Sequence, residues 1–218
     1  MREIKRFVFI YSSDPTVRVN LSLSISLVTN FCYIVFNLVS GISYSSVWFV
    51  SAAAYYLLIV LARYIIIDAS SEGELEIYKA CKRVGSLILT MTIPVAGVIF
   101  YVSAIKSPAK YSRFILLILL CYSIYSLTRS VIGLFAGRGR GGAINRAAST
   151  IRFSAALMSL FNLQSAAIPY YGITGEASFF TSLLTGFFVS GAISFLAIRT
   201  ISESKREIKK HSKNGEAL

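Results

Sequence analysis

Arg63, Arg129, Arg152 and Arg199 all fall toward the same end of long apolar stretches. A guanidinium is planar, permanently charged and able to grip a carboxylate or phosphate with two parallel hydrogen bonds. Arginines gathered at one depth of a membrane would therefore make a site for an anion, a phosphate or a lipid headgroup. Snorkelling of each side chain to nearby headgroups accounts for the same positions without any site. Both readings remain open at the level of sequence.

A second pattern is uncharged. Ser22, Ser26, Thr29, Asn30, Tyr33, Asn37 and Ser40 fall within about 100° of one another at helical periodicity. Hydroxyls and amides are unfavourable against lipid, so this stripe must face other helices or a water-containing cavity. It serves as interhelical hydrogen-bonding groups in the first case and as a solute-lining wall in the second. Further polar contacts are expected from Tyr55 and Tyr56, which share a broad side with Trp48, Ser51 and Arg63, and from Tyr122, Tyr125 and Ser126 leading to Arg129. Asn162 lies on a looser polar side with Ser149, Arg152 and Ser159, while Ser182, Gly186, Ser190 and Ser194 form a ladder of small residues suited to close helix packing.

Several chemistries lack their raw material. All ten Asp and Glu residues lie outside the apolar cores, which disfavours a proton-coupled cation carrier. His211 is the only histidine and sits in a charged tail, and Cys32, Cys81 and Cys121 have no metal or disulfide spacing. No catalytic residue, metal ligand or cofactor site is assigned, and an enzyme is not expected. The run Gly137-Arg138-Gly139-Arg140-Gly141-Gly142 matches GxGxxG formally, but it follows an apolar helix instead of a β-strand and reads as a flexible, lipid-attracted loop.

The elements that must carry these residues are membrane helices. Hydrophobic residues make up 55% of the chain and charged ones only 15%, with mean hydropathy +0.66, beyond what a soluble core accommodates. The expected fold is all-α and polytopic, with six spans at 21–40, 47–67, 84–105, 113–135, 147–170 and 178–201. Residues 1–20 form a cytoplasmic or interfacial segment, 21–201 the transmembrane domain, and 202–218 a charged cytoplasmic tail, at best partly helical. The first span exceeds the length of a signal-peptide core and is expected to stay uncleaved. Asp14-Pro15 is read as a helix start, Ser71 to Glu74 as a capping box, and Pro94 as a kink in the third span, which should extend into the cytoplasm.

Orientation follows from charge. With both termini inside, 19 of the 22 basic residues are cytoplasmic and only Lys106, Lys110 and Arg113 are outside. Each even-numbered span carries one of the arginines, which is compatible with three helical hairpins, and Phe36-Asn37-Leu38-Val39-Ser40 is similar to Phe161-Asn162-Leu163-Gln164-Ser165. The net charge of +12 follows from cytoplasmic loops near anionic lipid, so nucleic acid is not an expected partner.

The strings Trp48-Phe49, Tyr55-Tyr56, Arg63, Ile124-Tyr125 and Ser159 through Ala166 resemble an uncharacterised family of multi-pass membrane proteins from gut Firmicutes. The resemblance extends over most of residues 30–200 and implies a membrane fold, but no activity or substrate; the Gly-Arg loop departs from it. The expected function is a small-solute or anion transporter, channel or transporter subunit. The alternative is a non-transporting membrane scaffold or regulatory protein binding anionic lipid. Expected partners are membrane lipids, anionic ones above all, and a second copy of the chain or a partner membrane subunit. The expected location is the cell membrane.

Overall fold

A computed structural model describes residues 15–104, 111–136, 143–173 and 175–215, with side-chain surroundings for 25–100, 111–133, 143–173 and 175–212. The described residues form six helices: α1 (Pro15–Ser43), α2 (Val47–Ala69), α3 (Glu74–Ala104), α4 (Arg113–Ala136), α5 (Ala143–Tyr170) and α6 (Glu176–Gly215). The all-α expectation holds for them. The short links at 44–46 and 70–73 fold α1 back on α2 and α2 back on α3. In the first link Ser45 takes a left-handed φ of 48°.

By length and composition, five helices are apolar enough to cross a membrane: α1, α2, α3, α4 and α6. The fifth expected span, 147–170, is helical within α5 but falls short on apolarity. Its packing explains why. α5 touches α2, α3, α4 and α6, and fifteen of its 28 residues are buried. A helix enclosed by protein can carry Ser, Asn and Arg on several sides, because those groups find partners in neighbouring helices. The lipid-type surface lies instead on the outer helices, where Phe100, Phe114, Phe187 and Phe195 are exposed.

Two local expectations change, and one holds. Ser71 donates its hydroxyl to Asp68 O at 2.8 Å, so it finishes α2 and does not cap α3, which starts at Glu74. α3 extends below its apolar part as expected and stays helical through Pro94, and Thr92 bonds back to Ile88 O at 2.9 Å. Residues 202–215 continue α6 as helix without a break, more regular than the tail's composition suggests. Pairing supports that helix: Glu207 accepts from Lys210 at 2.7 Å, and His211 lies 3.8 Å from Glu74 at the start of α3. Asp14 lies outside the described residues.

Candidate functional site

The polar stripe of α1 enters a seam shared with α2, α4 and α5. At one end Asn162 of α5 donates to Tyr33 Oη at 2.8 Å and to Asn37 Oδ1 at 2.9 Å, and its own oxygen accepts the Trp48 indole N–H at 2.7 Å. Asn37 donates in turn to Tyr33 O at 2.7 Å. The two asparagines of the repeated Phe-Asn-Leu strings thus meet face to face. Farther along, the rings of Tyr33 and Tyr122 stack at 3.6 Å and 5°, with Tyr56 edge-on to Tyr33 at 4.7 Å. Tyr122 donates to Asn30 Oδ1 at 2.7 Å, and Tyr56 donates to Ala155 O at 3.1 Å. Tyr55 is buried, with Ser154 of α5 as a polar neighbour.

Ser26, Asn30, Tyr33, Asn37 and Ser40 are all buried. Among the members whose side-chain surroundings are described, Thr29 is the one that turns away: its hydroxyl bonds back to Ile25 O at 3.0 Å. The stripe is therefore consumed mainly in contacts between helices. That is the arrangement expected when amides and phenols sit where water cannot reach them.

The opposite end of the seam holds the arginines. Arg63, on the last third of α2, is 2% exposed and donates through Nη1 to Ser26 Oγ of α1. Its Nε is buried without a partner among the described residues. Arg152 of α5 reaches across to α4, where its guanidinium fills the space beside Gly133; a Cβ there would stand 2.8 Å from Nε and 2.9 Å from Cζ. Arg152 Nη2 donates weakly to Asn145 Oδ1 at 3.4 Å, and its Nε also lacks a partner. Arg129 stands one helical turn before Gly133, with its guanidinium carbon 5.8 Å from the centre of the Tyr125 ring. Arg63 and Arg129 lie two turns beyond Tyr56 and Tyr122 on α2 and α4, and Arg152 one turn before Ala155 on α5, so all three stand past the aromatic stack toward the same end of the seam.

Arg199 does not join them. α6 places it on an exposed face, where Nε donates to Glu203 four residues on at 2.9 Å, and Glu203 also lies 3.6 Å from Arg146 of α5. The expected set of four arginines is thus three at the seam and one in a surface ion pair. Among the described residues no carboxylate forms an ion pair with Arg63 or Arg152. Gly133 and Asn145, which position Arg152, were not singled out from the sequence; the available signal was a glycine one turn beyond Arg129 on the same helix face.

The small-residue ladder of α6 is used for packing in part. A Cβ on Gly186 would come within 2.5 Å of Ile99, whereas Gly85 of α3 approaches Ala197 O and Ile201 from the other side of the same helix pair. Beside Gly186 lies an apolar groove of about 450 Å³ between α3 and α6, lined by Ile99, Phe100, Leu184 and Phe187 among others. No group of three or more metal-ligating side chains occurs among the described residues. The Gly137–Gly142 loop lies outside them. No family model and no curated protein matches the chain.

Proposed function

We propose that this chain is a multi-pass membrane protein that binds an anionic solute at its arginine end and acts as a small transporter or transporter subunit. The observation that carries the reading is Arg63: a guanidinium removed from solvent, with one hydroxyl partner and no carboxylate among the described residues. An unpaired buried charge is costly, and an anion meeting it would offset that cost. Arg129 and Arg152 are only partly buried and give the cluster an open side, while the Tyr33, Asn37, Trp48 and Asn162 contacts close the other end of the seam.

α5 is taken as the sixth span, shielded from lipid by its neighbours. Both termini are then cytoplasmic, and the arginine end faces the cytoplasm, in keeping with the distribution of basic residues. Membership in the gut-Firmicutes family named above belongs to the same proposal. A second reading, a non-transporting protein that holds anionic lipid, is favoured by the hydrogen bonds that Ser26, Asn30, Tyr33 and Asn37 make to neighbouring helices.

Two measurements test this. Single cysteines at Ser45 and Ser71 in a background lacking Cys32, Cys81 and Cys121 should label from outside and inside respectively; the reverse pattern refutes the topology. Reconstitution into vesicles should give anion flux that Arg63→Ala reduces by at least tenfold. Anion binding without flux selects the lipid-holding reading, and absence of both removes the function.

A further inference from the structure

The geometry points to a phosphoryl group as the anion, held by Arg63 of α2 and Arg152 of α5 beside α4. This inference rests on the anion-binding reading and narrows it to one chemistry. Both Arg63 and Arg152 leave Nε without a partner in a buried position. The Nε and adjacent Nη of a guanidinium form one of its two-pronged edges, so each of these arginines has an edge with a donor unspent. A carboxylate can accept from two such edges, but its single negative charge offsets only one of the two cations. Chloride is a single point and gains nothing from a planar fork. A phosphate monoester or inorganic phosphate presents three or four oxygens and a charge near −2, enough to engage several guanidiniums together.

The surroundings hold these guanidiniums without neutralising them. Gly133 leaves room beside α4 that the Arg152 guanidinium fills, setting that group on the side of the helix next to the turn that carries Arg129. Ser26 holds Arg63 from the α1 side without neutralising it. Asn145 adds a neutral amide beside Arg152. No carboxylate pairs with Arg63 or Arg152 among the described residues, so nothing described there neutralises those charges. The same chemistry is presented by a free phosphorylated solute and by the headgroup of an anionic phospholipid.

The test uses the full chain purified in maltoside micelles free of phosphate. Inorganic phosphate, glycerol phosphate and phosphatidic acid are each titrated against thermal unfolding, with acetate and chloride at matched ionic strength as controls. Phosphate-bearing probes should stabilise at concentrations at least tenfold lower than acetate or chloride. Saturation by inorganic phosphate alone identifies a free solute as the source; a response to phosphatidic acid that inorganic phosphate only displaces identifies a headgroup. Arg63→Lys keeps the charge and loses the fork, and should weaken phosphate by about tenfold or more. Because that variant changes a buried residue, Gly133→Ala is the companion: it retains every arginine, displaces only the far end of Arg152, and should weaken phosphate similarly while unfolding near the parent temperature without ligand. Arg199→Gln should leave the response unchanged. Equal stabilisation by acetate, chloride and phosphate overturns the phosphoryl inference and leaves anion binding standing. No response to any anion overturns both.

Discussion

The indole of Trp48 on α2 donates to the side-chain oxygen of Asn162 on α5 across 2.7 Å, and the amide nitrogen of the same asparagine bonds Tyr33 and Asn37 of α1. One neutral side chain therefore joins three helices. Replacing it by Leu leaves an indole N–H, a phenol and an amide oxygen without partners. Interhelical hydrogen bonds in membranes average about 0.6 kcal/mol each, so Asn162→Leu should cost on the order of 2 kcal/mol. Trp48 is the only tryptophan, which makes its fluorescence a direct monitor. The variant should lower the unfolding midpoint and shift the emission, because a buried, hydrogen-bonded indole loses its acceptor. An unaltered spectrum and midpoint would show that this asparagine does not hold the seam.

Ser26 supplies the hydroxyl that satisfies one Arg63 donor. Ser26→Ala should destabilise by about 1–3 kcal/mol, the usual cost of stranding a buried donor to a charged group. Ser26→Asp should restore stability by pairing the guanidinium, and it should also abolish anion-induced stabilisation, since the added carboxylate takes the ligand's place. Recovery of stability with undiminished anion response would mean that the anion binds elsewhere.

Gly85 and Gly97 lie on the same helix in opposite circumstances. A Cβ on Gly85 would stand 2.7 Å from Ile201 and 3.1 Å from the Ala197 carbonyl oxygen, whereas nothing lies within 4 Å of one on Gly97. Gly85→Ala should separate α3 from α6 and cost about 1–3 kcal/mol through overpacking. Gly97→Ala should be neutral or stabilising by up to about 1 kcal/mol, because Ala is the better helix former. Thermal unfolding of the pair separates helix packing from helix propensity.

What was legible in the sequence depended on periodicity. The α1 stripe could be read because a single helix fixes the angular positions of Ser26, Asn30, Tyr33 and Asn37. Their partners could not be read: Tyr122 and Asn162 are 92 and 125 residues from Asn30 and Asn37. For the same reason the four arginines looked equivalent when compared by depth alone. Depth is a property of one helix, while convergence depends on how helices are rotated about their axes, and α6 is rotated so that Arg199 faces Glu203 on the surface. The enclosed position of α5 was hidden too, since its length suggested a lipid-facing span and only its packing explains its polar composition.

Glu203 offers the contrast with Asn162. It stands between Arg199 of its own helix and Arg146 of α5, and all three side chains are more than a third exposed. Exposed pairs contribute from near zero to about 1 kcal/mol and are screened by salt. Glu203→Gln should accordingly shift the unfolding midpoint by less than Asn162→Leu, with the difference from the parent disappearing in high salt. The Asn162→Leu loss should persist, because its groups are neutral and enclosed. If the charged residue proved the more costly to remove at every salt concentration, α6 would be tied to α5 by this ion pair, and the seam around Asn162 would not be the principal link holding α5 in the bundle.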